Sequence, residues 1–129
     1  MQRTFFTTAS VLCGIAVVLG AFGAHALKER LTPELLATFE TGVRYQFYHG
    51  LALLLLGIIV GSDPGKFFRF AGFSFIGGVI FFSGSLYTMC LLNTMGVTDY
   101  KWLGPVTPLG GLCFITGWVF LLLGVRRKV

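Results

Sequence analysis

Six side chains carry most of the chemistry this sequence can offer: His25, Arg44, Gln46, Tyr48, His49 and Tyr87. Tyr45, Cys90 and Asn93 lie near them in the predicted topology. Imidazole can take a proton, accept a hydrogen bond or ligate a metal. Guanidinium and phenol suit anionic or carbonyl-bearing head groups. Three chemistries fit such a set. The rings can hydrogen-bond to backbone and to one another and so hold helices together. They can bind a small ligand such as a quinone head, a lipid head or a sterol-like molecule. Two histidines can also hold haem or copper. Two are a thin ligand set, however, and Met89, Cys90 and Met95 do not complete it by their spacing. No metal site is therefore expected, and no cofactor, with haem or quinone as the alternatives. No catalytic residue is assigned.

The elements that must position these groups are membrane spans. The 129 residues are 55% hydrophobic and 12% charged, against about a quarter charged in soluble domains. A disordered tail, a disulfide scaffold and an ordinary cytosolic enzyme are poor readings of that balance. Four apolar runs approach the roughly 20 residues that cross a bilayer: 4–27, 45–61, 70–92 and 108–125. Backbone groups in lipid must bond within their own segment, so each run is read as a helix. Arg3 and Ala24-His25-Ala26 give the first run some look of a signal peptide. Its apolar stretch is too long for one, and it is read as a retained span. The three cysteines, Cys13, Cys90 and Cys113, are scattered and read as small buried hydrophobes.

Thr32-Pro33 caps and opens a helix, with Leu31 and Leu36 as a hydrophobic staple. Leu35, Leu36, Phe39 and Val43 then share a side. The expectation is a short amphipathic helix between spans 1 and 2, or an extension of span 2, with Gly42 as the joint. Glu40 and Arg44 are placed to pair on one face. Ser62-Asp63-Pro64-Gly65 reads as a turn, and Thr107-Pro108 as the start of span 4. With span 2 beginning at Tyr45, His25 and His49 differ in depth by roughly 3–6 Å and can face each other.

Loop charge sets orientation. The side holding both termini and the 62–69 loop carries Arg3, Lys66, Arg69, Arg126, Arg127 and Lys128 against Asp63. The other side carries Lys28, Arg30, Arg44 and Lys101 against Glu29, Glu34, Glu40 and Asp99. The basic excess marks the first side as cytoplasmic, with Tyr45, Tyr100 and Trp102 as the aromatic belt opposite. Small residues at helical spacing mark packing stripes: Ala16, Gly20 and Ala24; Gly57 and Gly61; Gly77 and Gly84; Gly110, Gly117 and Gly124. One stripe is available for a second copy. No carboxylate or cation occupies the centre of these spans, and no nucleophile elbow, phosphate loop or HExxH occurs. The chain is therefore read as non-enzymatic, and no nucleic-acid partner is expected.

Four blocks occur in order: Gly20-Ala21-Phe22-Gly23-Ala24-His25-Ala26-Leu27, Arg44-Tyr45-Gln46-Phe47-Tyr48-His49, Phe82-Ser83-Gly84-Ser85-Leu86-Tyr87 and Gly104-Pro105-Val106-Thr107-Pro108-Leu109-Gly110-Gly111. Together they resemble the small YgdD-type (UPF0382-type) membrane family, a domain of unknown function, family 423, with mitochondrial relatives in animals. The resemblance spans nearly the whole chain. It implies a four-helix bacterial inner-membrane protein and supplies no activity, substrate or catalytic residue. The expectation is an all-α, single-domain bundle in the lipid bilayer. It would be a homo-oligomer or part of a larger membrane complex, with both termini cytoplasmic. Its function is read as accessory, or as binding a small ligand or lipid at the His/Tyr/Arg site near the periplasmic face. A small oligomeric transporter or channel is the first alternative, and a haem- or quinone-binding redox protein the second.

Overall fold

The computed structural model describes residues 1–61 and 65–128. Four helices run back and forth: α1 Gln2–Leu27, α2 Pro33–Val60, α3 Lys66–Thr94 and α4 Val106–Lys128. All four helical segments are long and apolar enough to cross a membrane. Two are not uniform. The last turn of α1, Gly23–Leu27, and a mid-helix segment of α3, Val79–Ser83, are π-helical. The expected turn at Ser62–Gly65 lies largely outside the described residues.

The amphipathic stretch is not a separate element. It forms the first three turns of α2, a single helix of 28 residues. Thr32 caps it, accepting from the Leu35 N–H at 3.4 Å, and Pro33 takes the first position. Leu31 is buried, with Leu36 packed in the same cluster around Phe39 and Cys90. Gly42 is no joint: it is buried within the helix, where an added Cβ would meet the Tyr87 ring at 2.8 Å. Span 4 likewise starts two residues early, at Val106, so Pro108 sits in the first turn, where its missing N–H costs no hydrogen bond.

Glycines set the helix spacing by admitting aromatic rings. Phe68 and Phe75 of α3 lie against Gly124 and Gly117 of α4, and Phe114 of α4 lies against Gly78 of α3. Gly110 meets the backbone of Phe82, so α3 and α4 touch main chain to main chain there. Between α1 and α2, Gly57 admits Phe6, Gly50 meets Cys13, and Gly20 meets Val43. Phe5 of α1 reaches across to Gly72 of α3. The glycine stripe of α4 thus closes the bundle from within, while Gly77 and Gly84 of α3 meet little: Cys113 at 3.9 Å and a carbonyl of their own helix at 4.0 Å. Only Gly14 on α1 and Gly111 on α4 are mid-helix glycines with nothing within 4 Å of an added Cβ.

The half of the bundle nearest the termini is apolar throughout its core. Phe5, Ala9, Leu53, Leu56, Val60, Phe68 and Ala71 form one buried cluster there. The buried polar side chains, Gln46, His49, Ser83 and Ser85, all lie farther toward the opposite end.

Candidate functional site

The polar side chains fall into two separate networks, both built on α2. In the first, Gln46 faces α1 and α3. Its amide nitrogen donates to the Leu12 carbonyl at 2.8 Å. Its amide oxygen accepts from the Tyr87 hydroxyl, also at 2.8 Å. One glutamine therefore ties three helices together. One turn earlier, the Ser83 hydroxyl donates to the Gly42 carbonyl at 2.7 Å. Ser83 closes the π segment of α3, the irregularity that sets the last residues of that segment against α2. Farther along α3, the hydroxyls of Ser85 and Thr107 share a bond of 2.6 Å, joining α3 to α4.

In the second network, His49 faces α4. Its Nδ1 lies 2.8 Å from the Tyr45 carbonyl. A carbonyl only accepts, so Nδ1 carries the proton. Nε2 is then bare, and it accepts from the indole N–H of Trp118 at 3.2 Å. The ring stacks on Phe114 at 3.5 Å, nearly parallel, with Phe75 at 5.5 Å and Tyr45 at 6.1 Å. Both ring nitrogens are engaged and both faces are shielded. His49 therefore offers no lone pair to a metal, and the residues present do not fit a bis-histidine haem or copper site. Among the described residues no group of three potential metal ligands occurs, and the three cysteines are free thiols.

His25 takes no part in either network. It is exposed in the π turn that ends α1. The two histidines also differ far more in depth than a span beginning at Tyr45 suggests. Gly50 lies against Cys13, which puts His49 level with about Gly14. His25 is eleven residues farther along α1, about 16 Å at 1.5 Å per residue. The Tyr45 ring, expected in the aromatic belt, is partly exposed and packs on Phe82 at 4.8 Å. Of the six candidate residues, the structure joins Gln46 to Tyr87 and leaves His49 with Trp118. Arg44 and Tyr48 lie on the exposed face of α2. Glu40 and Arg44 form no ion pair among the described residues. The nearest bond of Arg44 is a long one of 3.5 Å to the Thr41 hydroxyl.

Between α1, α2 and α3, toward the end remote from the termini, lies an apolar cavity of about 220 Å³. Leu19, Leu27, Phe39, Tyr87 and Cys90 line it, with Phe22, Leu91 and Thr94 exposed at its edge. The Tyr87 hydroxyl is spent on Gln46, so the ring presents its apolar body to the space.

A chain with this architecture, matched along its length by relatives, can be placed. The family described as protein of unknown function DUF423 matches residues 19–111. A UPF0382 membrane protein of Staphylococcus haemolyticus is 41% identical over 128 residues, 99% of each chain. One from Staphylococcus aureus is 40% identical over 126 residues, 98% of each chain. The UPF0382 membrane protein YwdK of Bacillus subtilis is 34% identical over 127 residues, 98% of each chain. The chain belongs to this family. It is a multi-pass membrane protein whose relatives are bacterial membrane proteins. No solved structure matches it at a significant level. Within this UPF0382 chain the family match covers Gln46, His49, Ser83 and Tyr87, and it stops before Trp118.

Ser83, Thr107, Phe114 and Trp118 are the site residues that sequence reasoning missed. Trp118 left a signal: it sits mid-run, away from the interfaces where tryptophan is usual. An indole N–H at that depth needs an acceptor. Ser83 left none, because its partner is a backbone carbonyl on another helix.

Proposed function

We propose that this protein is a non-enzymatic accessory protein of the bacterial plasma membrane that holds one apolar chain of a lipid or similar amphiphile. The observation that carries this reading is the apolar cavity between α1, α2 and α3, with exposed Phe22, Leu91 and Thr94 at its edge. At about 220 Å³ it is smaller than the roughly 300–1,000 Å³ of pockets that take drug-sized ligands. It suits a chain segment better than a quinone or haem ring. The polar set expected to bind a ligand directly serves instead to hold the cavity walls, through Gln46 and Tyr87. The wholly apolar core of the other half gives little support to a transport path through the bundle.

Loop charge supports an orientation with both termini cytoplasmic and the cavity in the outer leaflet. An impermeant thiol reagent should then label Asp99→Cys, but not Gly65→Cys, in intact cells; the opposite pattern would reverse the orientation. A second copy or a larger complex is supported only by open Gly14 and Gly111.

The test of the main reading uses membranes fed a fatty acid with a diazirine near its end. After irradiation, cross-links should concentrate in peptides 19–27 and 87–94. Leu91→Trp, at the cavity mouth, should reduce them there. Labelling spread evenly over exposed residues such as Val18 and Leu122, in both proteins, would contradict the reading.

A further inference from the structure

A second feature lies on the outward face of α2, away from the cavity. Glu40, Arg44 and Tyr48 follow one another at four-residue spacing, and all three are exposed. Val43 packs against Gly20, so Arg44 stands level with the Leu19–Gly20 region of α1. There α1 has seven or eight further residues before its end at Leu27, about 10 Å of helix. From Thr4 to Leu27, α1 contains no charged residue other than His25. Arg44 is therefore a cation level with the apolar run of α1, with no carboxylate partner among the described residues. The sequence reading found no such charge, because it began span 2 after it. An ionisable group at that depth needs a partner.

The surroundings define the partner. Cα–Cβ bonds in a helix tilt toward its N-terminus, and for α2 that is the end remote from the chain termini. Arg44 and Tyr48 thus both lean toward that surface, the direction in which a long side chain snorkels. Above Arg44 is a depression of about 170 Å³ lined by Gly20, Phe39, Glu40, Val43 and Arg44. Beside it a groove of about 290 Å³ reaches from Arg44 to Tyr48, lined by Ala16, Val17, Val43, Arg44, Phe47 and Tyr48. Along α2 from the surface inward the order is carboxylate, guanidinium, phenol, with the largely apolar groove flanking the last two. A phospholipid with an amine in its headgroup has the complementary order: ammonium, phosphate, ester, acyl chain.

We propose that this face binds an aminophospholipid. Arg44 donates to the phosphate, for which its planar fork is suited. Glu40 takes the ammonium, and the acyl chain lies in the groove beside Ala16 and Val17. Glu40 decides between lipid classes, because its carboxylate repels a headgroup that carries only the phosphate charge. A second copy of the chain would have to bring an acid to Arg44 at the same depth, and Glu40 is one turn away from it. The lipid matches both charges in register.

The test is native mass spectrometry of the full chain released from bicelles holding equal amounts of phosphatidylethanolamine and phosphatidylglycerol. Wild type should retain phosphatidylethanolamine over phosphatidylglycerol by about fivefold, the weight of one charge near a membrane surface. Arg44→Gln should lose one retained lipid and the preference with it, leaving only lipid held in the cavity between α1, α2 and α3. Glu40→Gln should keep a lipid but bring the ratio to about parity. Each substitution is at an exposed position, and an unchanged thermal transition confirms that the variant is folded. Leu91→Trp should keep the preference, which separates this site from the cavity between α1, α2 and α3. Equal retention of both lipids by wild type, or unchanged retention in Arg44→Gln, would overturn the proposal. So would loss of the preference in Leu91→Trp. A dimer that dissociates in Arg44→Gln, with no lipid preference, would assign the charges to a second copy.

Discussion

The two halves of this bundle are held together by different means. Near the termini, rings fill glycine notches: Phe5 over Gly72, Phe6 at Gly57 and Phe68 at Gly124. Among the described residues, no buried polar side chain takes part there. Toward the opposite end the same helices are joined by hydrogen bonds from Gln46, Tyr87, Ser83 and Ser85, and by the His49–Trp118 contact. That half also holds the cavity and ends in the π turn of α1. The contrast teaches where shape alone suffices. In lipid, close packing of small residues is a main source of helix association, and rings seated in glycine notches leave little space between the helices they join. Hydrogen bonds can hold helices at a fixed distance without filling the space between them. The half that uses them is the half with a cavity.

The contrast can be broken most strongly at Phe5. It is completely buried in the apolar half, and Phe5→Ala should lower stability by about 3–5 kcal/mol, as large-to-small core changes do. Chemical unfolding in detergent would measure this. Gln46→Leu should cost less, about 1–2 kcal/mol, because it leaves the Tyr87 hydroxyl unpaired and removes the bond to the Leu12 carbonyl that joins α2 to α1. It should also change lipid labelling at the cavity, which Phe5→Ala should do only by unfolding the chain. If Gln46→Leu proved as costly as Phe5→Ala, the division of labour would be wrong.

His49→Phe should cost less than about 1 kcal/mol. The ring stack on Phe114 survives that change, and what is lost is the bond from Trp118 and the local one to the Tyr45 carbonyl, which keeps its place in the helix. Its clearer signature is optical: indole emission should move to shorter wavelength when the N–H loses its acceptor. An unmoved spectrum would mean that the contact is not made. The smallest effect belongs to Gly14→Ala. Nothing lies within 4 Å of the added carbon, so stability should stay within about 0.5 kcal/mol. A larger change would show that a second copy covers α1.

The apolar half was the more legible in the sequence. Its four spans follow from run length, and the stripe Gly110, Gly117 and Gly124 does pack against α3, as its spacing indicated. Thr32-Pro33 marked the start of α2 to the residue. What hid was depth. The polar residues Glu34, Glu40 and Arg44 made the first turns of α2 look like a surface helix, so the span was begun at Tyr45. That placed His49 near an interface and beside His25. In the structure the same residues continue one helix, and His49 moves to the middle of the bundle. The register between α2 and α4, which brings Trp118 to His49, depends on rings fitting notches in three dimensions. No spacing within either helix encodes it.

Hydrogen–deuterium exchange on the protein in detergent, with and without added phospholipid, tests the division between the halves most directly. Amides at 23–27 and 87–94 should exchange well before those at 53–60 and 68–75. Added lipid should slow the first group and leave the second unchanged. Uniform exchange along the bundle, or lipid protection confined to the half near the termini, would contradict the account.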